Sequence, residues 1–236
     1  MEVRIDRFIE GARRAEGITV IIDVFRAFSL ECWMYSFGAK LIRPIGKVEE
    51  VFTLREHFPG SVLVGERKGK KLEGFDFGNS PSTLPPEAVR GRIVLHTTSA
   101  GTQGIIAAEH AAEILTGSLV NAAAVAEYIK KKNPEKVTLV AMGTNGCALA
   151  EEDELCAEYL RSLLTGRPMK EIRERAEALR WTAGAKFFDP ANREIFPQGD
   201  FAASTDVDRF PFVLRIGKDA FGYYSECVRT DCGEGR

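Results

Sequence analysis

Acidic residues stand at the ends of several apolar segments of this 236-residue sequence. Asp23 follows the β-branched run ITVII, Glu66 ends SVLVGE, and the acidic run Glu151–Glu154 comes shortly after VTLVAMG. Carboxylate oxygens are the ligands that Mg²⁺ prefers in proteins, and a hard cation of this kind supports phosphoryl chemistry. The pattern therefore predicts a magnesium site built from the ends of these segments.

Cationic and hydroxyl side chains follow the same or neighbouring segments. Arg26 comes shortly after the first carboxylate, and Arg67 directly after the second. The loop TTSAGTQG, residues 97–104, follows RIVLH, and Asn121 follows EILTGSLV. Arginine binds phosphate oxygens through two parallel hydrogen bonds, and the N–H groups at a helix start attract anions. We therefore expect a phosphate pocket beside the metal.

Each of these features also fits a plainer structural role. Asp23 and Asn121 are good N-cap residues for the helices that follow them, and acids favour the first turn of a helix, where the run 151–154 would lie. A carboxylate directly after a buried apolar run is nevertheless a better functional candidate than a random surface aspartate. We interpret Asp23 as functional, and one or two members of the acidic run as ligands.

Motifs of several other enzyme classes are absent from the sequence. It has no GxxxxGK[ST] or GxGxxG for a nucleotide, and no GxSxG of a serine hydrolase. Asp23 lacks the second aspartate two positions on that an aspartyl-phosphate phosphatase would need, and no cysteine has an arginine six positions later. Of the three histidines, His96 alone adjoins the 97–104 loop, where it is a candidate for a supporting role.

Apolar strand-like segments alternate with helix-like segments up to residue 164. This alternation predicts a three-layer α/β/α fold with a largely parallel (mixed) sheet, in which the carboxyl ends of the strands share one edge and form the ligand site. Beyond residue 164 the pattern changes to MKEIRERAEAL, WTAGAKFF and a loop-rich tail. No linker separates this part, so we expect residues 1–236 to form a single domain with a helical and loop-rich C-terminal cap.

The composition of the chain limits which binding partners and which cellular compartment we expect for the protein. The formal net charge is −2, which gives no reason to expect nucleic acid or an anionic membrane as a partner. The charged N-terminus does not read as a signal peptide, and no apolar run is long enough to span a bilayer. Five cysteines without CxxC spacing suit free thiols. We expect a cytoplasmic protein, and homo-oligomer formation stays open.

Five segments, in order, resemble one known family. IIDVFRAFS, GERKGKKLEGFDFGNSP, TTSAGTQG, GSLVNAAAVA and EEDELCAEYL are similar to segments of the 2-phosphosulfolactate phosphatase family of coenzyme M biosynthesis. The resemblance covers about residues 18–164, and GDFAASTDVDRFPFV looks like the family's C-terminal element. GER followed by GFDFGNSP is the most specific part, because neither helix nor strand periodicity requires it.

The resemblance implies a magnesium-dependent phosphatase that hydrolyses 2-phosphosulfolactate to 3-sulfolactate and phosphate in the cytoplasm. Asp23 and Arg26 would be catalytic. The implied metal ligands are Asp23, Glu66, Glu152 and Asp153. The implied substrate-binding residues are Arg26, Arg67, Asn79, Ser80, Thr98, Ser99, Gly101, Thr102 and Asn121.

The chain departs from the family pattern at two positions of the 97–104 loop. Ala100 stands where the family commonly has Asn, and Gln103 where it commonly has Arg. A substrate with phosphate, carboxylate and sulfonate groups needs several donors, so these changes bear on the choice of substrate. Two other functions stay open: a binding protein that recognises a phosphorylated or sulfonated metabolite without turnover, and transfer of the phosphoryl group to an acceptor other than water.

Overall fold

The computed structural model describes residues 1–167 and 169–229. Its strands, in chain order, are β1 Glu2–Arg7, β2 Ile18–Ile22, β3 Leu41–Pro44, β4 Val62–Arg67, β5 Lys70–Lys71, β6 Ile93–Thr97, β7 Glu113–Gly117, β8 Lys136–Ala141, β9 Phe212–Asp219 and β10 Gly222–Arg229. Its α-helices are α1 Phe8–Arg13, α2 Ala27–Ser36, α3 Val48–His57, α4 Pro86–Val89, α5 Gly101–Ala107, α6 Ala122–Lys132, α7 Glu151–Leu164, α8 Ile172–Ala178 and α9 Gln198–Thr205.

The ten strands form one mixed sheet in the order β1-β8-β2-β7-β9-β10-β3-β6-β4-β5. The first four strands of this order pair in parallel, as do β3, β6 and β4. Every residue of β2 is buried, as expected for a central strand of β-branched residues with helices on both faces. The predicted α/β fold with a largely parallel, mixed sheet is confirmed.

The C-terminal hairpin β9–β10 lies in the middle of this sheet and separates its two parallel groups. It pairs antiparallel with β7 on one side and with β3 on the other. The second group therefore runs opposite to the first along the sheet, and the prediction that all strand carboxyl ends share one edge is wrong. Loops from the two groups meet instead, because the start of α5, after β6, reaches β2: the Gly101 amide donates to Asp23.

The segment between β8 and β9 that follows α7 covers the strand ends of the first group. It contains α8, α9 and three short 3₁₀ helices, Leu179–Trp181, Ala185–Phe187 and Pro190–Asn192. The motif WTAGAKFF, residues 181–188, which we expected to be helical, contains the last residue of the first of these turns, the link that follows and the second turn. Ring contacts at 5.0 Å and 6.0 Å from Phe25 to Phe187 and Phe201 fix this segment on the loop after β2.

Two predictions from composition can be compared with the described residues. None of the helices there is both long and apolar enough to cross a bilayer. The cysteines of this part of the chain, at positions 32, 147, 156 and 227, are free thiols, as expected. Cys232 lies outside the described residues.

Candidate active site

A cavity of about 360 Å³ lies where the end of β2, the loop after β4, the start of α5 and the start of α7 meet. Its lining consists of Asp23, Phe25, Arg26, Glu66, Lys68, Gly69, Asn79, Ser99, Ala100, Gly143, Thr144, Asn145, Ala150, Glu152, Asp153, Lys186 and Phe196. The four carboxylates that the resemblance implied as metal ligands are all in this lining. These four carboxylates, which are separated by up to 130 positions in the sequence, thus meet around one small space.

Asp23 is held in place by two backbone amides. Its Oδ1 accepts a hydrogen bond from the amide of Ala27, the first residue of α2, at 3.2 Å. Its Oδ2 accepts one from the amide of Gly101, the first residue of α5, at 2.9 Å. Asp23 therefore accepts from amides at two helix starts, in keeping with the capping interpretation, and it also lines the cavity.

Asp153 ties the start of α7 to the ends of two strands. Its Oδ1 accepts from the amide of Val24 and its Oδ2 from the amide of Gly143, both at 2.8 Å. Gly143 has φ +69°, and a Cβ there would stand 2.1 Å from the carbonyl oxygen of Ala148, so only glycine fits. The turn that follows β8 is thereby shaped to meet this carboxylate.

The buried carboxylates of the cavity lining, Asp23, Glu152 and Asp153, form its acidic wall. They take up protons more readily than carboxylates in water do. Burial, opposed by backbone hydrogen bonds and reinforced by the charges of Glu66 and Glu152, raises the pKa of Asp23 to about 6. Burial and the neighbouring charge of Asp23 raise the pKa of Asp153 well above its usual range. Burial also raises the pKa of Glu152, although Lys186 acts in the opposite direction. This wall therefore gains stability from any cation that binds to it.

Glu66 connects the loop after β4 with the loop after β6. Its Oε2 accepts from the amide of Gly69 at 2.6 Å and from the hydroxyl of Ser99 at 3.1 Å. Its Oε1 accepts from the amide of Ser99 at 2.7 Å. Both oxygens of Glu66 therefore connect loops of the pocket, as both oxygens of Asp153 connect strand ends, and the side chain also lines the cavity.

The two arginines predicted to bind phosphate differ in placement. Arg26 lines the cavity with its guanidinium 2.6 Å from the carboxylate of Asp200, and it lies over the ring of Phe196 at 5.0 Å. Arg67 is not in the lining. Its guanidinium donates to the carbonyls of Glu66 and Gly46 and to the hydroxyl of Thr97. The structure thus brings Arg26 to the site and turns Arg67 towards the backbone.

The other residues implied as substrate-binding divide in the same way. Asn79 and Ser99 line the cavity, and Gly101 acts through its amide on Asp23. Four side chains have other partners and do not line the cavity: Ser80 donates to Asp200, Thr98 and Thr102 hydrogen-bond at the start of α5, and Asn121 caps the 3₁₀ turn Leu119–Asn121 with Ser118. Asn121 precedes α6 as expected, but its side chain makes no capping hydrogen bond to that helix; it accepts from the amide of Ser118 and donates to the carbonyl of Thr116.

Two lysines of the lining were not among the predicted site residues, although the basic run RKGKK offered a signal for the first. Lys68 lies in a tight turn with φ +54° after β4, and Lys186 comes from the 3₁₀ turn Ala185–Phe187. The Nζ of Lys186 is 4.0 Å from Glu152 and lies over the rings of Phe25 and Phe196. No local pattern around this second lysine marks it as a site residue.

The acidic wall suits a magnesium ion because it offers carboxylate oxygens, although these do not form a complete coordination cage in advance. In the described ranges, no group of three or more histidine, cysteine or acidic side chains is arranged to hold a metal. Mg²⁺ usually keeps several waters and takes only one or two protein carboxylates. The buried Oε2 of Glu152 has no hydrogen-bond partner within the described residues, and Asp153 lies beside it on the same helix. These oxygens suit such an ion.

Comparison with known proteins identifies the same family over most of the chain. Residues 5–191 match the model of the 2-phosphosulpholactate phosphatase family. A Bacillus subtilis protein is 28% identical over 204 residues, covering 86% of this chain and 88% of its own. Proteins of Carboxydothermus hydrogenoformans (34%; 75% and 73% covered) and Clostridium acetobutylicum (38%; 64% of each chain) are also similar. Each carries the name "Probable 2-phosphosulfolactate phosphatase".

Proposed function

The chain belongs to the 2-phosphosulfolactate phosphatase family, and from this we propose that it hydrolyses 2-phosphosulfolactate or a closely related small phosphate monoester with the help of Mg²⁺. Family membership makes it a phosphoric monoester hydrolase. The observation that carries the magnesium part of the proposal is the wall of three buried carboxylates, Asp23, Glu152 and Asp153, in one cavity with cationic side chains. A pocket that only received an anion would gain nothing from this concentrated negative charge.

Glu152 and Asp153 would hold the metal, and Asp23 lies beside them. A bound Mg²⁺ supplies positive charge that polarises the phosphoryl group and favours a water nucleophile. Glu66 keeps the loops of the pocket in place through its hydrogen bonds to Gly69 and Ser99. Because burial raises the pKa of Asp153, a cation would compete with a proton for this carboxylate, and metal binding would strengthen as the pH rises.

The cationic and amide side chains of the lining would hold the anionic groups of the substrate. Lys68 and Lys186 present ammonium groups, and Asn79 presents an amide. Arg26 adds a guanidinium whose charge is balanced by Asp200. The pKa of about 6 lets Asp23 accept a proton near neutral pH, so its Oδ oxygens suit a general base or acid for water and the leaving hydroxyl.

The test is a phosphate-release assay with the purified protein. After EDTA treatment and metal-free dialysis, we expect hydrolysis of 2-phosphosulfolactate to stop, and to return with Mg²⁺. Phosphorylated hydroxy acids without sulfonate show how strictly the substrate is chosen. Full activity after chelation would overturn the metal role, and tight binding without phosphate release in Mg²⁺ would establish the binding-protein alternative.

The cytoplasmic location, the place in coenzyme M biosynthesis and any homo-oligomer stay predictions.

Product analysis with added alcohols separates hydrolysis from phosphoryl transfer, because a transferase would form a new phosphate ester in place of free phosphate.

A further inference from the structure

A buried chain of three polar side chains ends at the wall of the cavity. Glu31 on α2 and His96 on β6 are both fully buried, and Glu31 Oε1 is 2.9 Å from His96 Nδ1. On the other side of the ring, His96 Nε2 is 3.3 Å from the Oδ1 of Asn79, which lines the cavity. A carboxylate far from the cavity is thus connected to it through one imidazole.

The partners of the imidazole determine where its protons are. An amide carbonyl oxygen can only accept hydrogen bonds, so Nε2 of His96 donates to Asn79. In this arrangement the ring links the carboxyl group of Glu31 to the amide oxygen of Asn79 and fixes which way that amide faces.

Stability alone does not explain this pair. An ion pair shut away from water loses more in desolvation than it commonly regains, and a pair of apolar side chains often serves a core equally well. Glu31 Oε2, moreover, has no hydrogen-bond partner in the described part of the chain. The buried core next to this pair is otherwise apolar, as Leu30 on α2 and Val94 on β6 illustrate. The pair accordingly has a role in positioning.

The effect of the pair reaches the cavity through the amide of Asn79. Because His96 holds Oδ1, the Nδ2 of the same amide is turned away from the ring, and none of the described residues accepts a hydrogen bond from it. Asn79 is 5% exposed, which leaves this donor at the cavity surface. We propose that the buried Glu31–His96 pair positions Asn79 so that its Nδ2 donates to an oxygen of the bound phosphate or of another anionic group of the substrate. This inference rests on the proposed function, since it assigns the cavity an anionic ligand.

The proposal is tested first by a double-mutant cycle on the binding of inorganic phosphate, measured by calorimetry. A hydrogen bond to a charged group is worth enough that Asn79→Ala should weaken binding by about tenfold. Glu31→Gln keeps the shape but removes the carboxyl group, and it should weaken binding by roughly three- to tenfold in the wild-type background. In the Asn79→Ala background it should have no further effect. Losses that simply multiply, or an Asn79→Ala protein with unchanged affinity, would overturn the proposal.

Thr19→Val is the matched control. Thr19 is fully buried on β2, and its hydroxyl has no partner among the described residues. This variant therefore also changes a buried polar group, but one outside the Glu31–His96–Asn79 series. It should leave phosphate affinity unchanged. If Thr19→Val weakens phosphate binding as much as Glu31→Gln does, the effect of Glu31 is a general loss of packing and the proposal fails.

A second measurement does not depend on the folding of any Glu31 variant or on turnover. The ¹⁵N shifts of the His96 ring, distinguished from those of His57 and His110 by a His96→Gln sample, report the protonation of each nitrogen. We expect Nε2 of His96 to carry a proton and to donate it to Oδ1 of Asn79 in the wild-type protein. A neutral ring with Nε2 as acceptor would mean that the Asn79 amide is reversed, and it would overturn the proposal. If the double-mutant cycle on phosphate binding gives the expected result but the protein does not hydrolyse the substrate, only the proposed function is contradicted.

Discussion

The two walls of the cavity differ in how the chain builds them. The acidic wall consists of Asp23, Glu152 and Asp153, from the end of β2 and the first turn of α7, with Asp23 and Asp153 fixed by backbone amides. The other part of the lining, the cationic wall, includes Lys68, Lys186, Asn79 and Phe196, which come from loops and from the segment after α7. It adjoins the acidic wall, since Lys186 stands 4.0 Å from Glu152. The regular core of the fold thus determines where the carboxylates of the acidic wall stand, and irregular segments supply the cationic side chains of the lining.

The acidic wall is tested most strongly by Asp23→Asn. We expect kcat/KM to fall by ~100-fold or more, because the substitution removes a charge that acts at the metal and the reacting oxygens. The two amides that Asp23 accepts from are at helix starts, and Asn can still accept one of these hydrogen bonds. Steady-state kinetics and a Mg²⁺ titration provide the measurement.

Asp208→Asn is the matched control for that experiment. Asp208 also accepts from a backbone amide at a helix start, that of Ala123 in α6, but it does not line the cavity. Its variant should keep wild-type kcat/KM. An Asp23→Asn protein with normal turnover and unchanged Mg²⁺ affinity would remove Asp23 from the acidic wall's function.

The cationic wall is tested by Lys186→Ala. Removing this ammonium group should raise KM by about tenfold and change kcat less, since a charge-assisted contact to the ground-state anion is lost. Lys186→Arg should retain most of the affinity, and Lys40→Ala, an exposed lysine outside the cavity, should have no effect. If kcat falls as much as kcat/KM and KM is unchanged, Lys186 acts in the transition state and the division between the two walls is wrong.

The sequence predicted the acidic wall better than the cationic one for a physical reason. A carboxylate after a buried apolar strand is recognisable because the strand's own periodicity fixes where it ends, as for Asp23. Asp153 is recognisable because α7 begins with acids. Lys186 reaches the cavity only through packing of the rings of Phe187 and Phe25, which no local pattern encodes.

The sheet order was unpredictable for a similar reason. The strand–helix alternation correctly predicted parallel pairing within each group of strands. It gave no sign that β9 and β10, the last strands in the sequence, insert between those groups, because strand neighbours far apart in sequence are chosen by tertiary packing. For the same reason Arg67 and Asn121, correctly placed after strands, have side chains engaged elsewhere.

The 97–104 loop gives a finer test of which positions belong to the substrate side. Ala100 lines the cavity, whereas the amide of Gln103 donates to the carbonyl of Gly46 at 2.7 Å and lies outside the lining. Ala100→Asn should therefore change the ratio of kcat/KM for sulfonated and non-sulfonated substrates by about threefold, the effect of one added neutral hydrogen bond. Gln103→Arg alone should leave the ratio unchanged. A larger shift from Gln103→Arg than from Ala100→Asn would place the specificity elsewhere in the loop.

The smallest expected effect concerns the stability of the metal-free protein and comes from Glu152→Gln. Burial raises the pKa of Glu152 above its ordinary value of 4.5, so the folded state binds this proton more tightly than the unfolded state. Stability contributed at this position is then present at low pH and declines as the pH rises from about 4.5 through the raised pKa. Gln carries no such charge, and its amide replaces the unpartnered Oε2.

Glu152→Gln should accordingly raise the free energy of unfolding at pH 7 by about 1 kcal/mol, or ~2–4 °C in Tm, and the gain should vanish near pH 4. Glu151→Gln, at the exposed neighbouring position of the same helix turn, should show little change at either pH. Added Mg²⁺ should reverse the order, because a cation that binds the native carboxylates stabilises the wild type more than the variant. A lower Tm for Glu152→Gln at pH 7 without metal would mean that Lys186, 4.0 Å away, already balances this carboxylate, and that the acidic wall does not depend on a bound cation there.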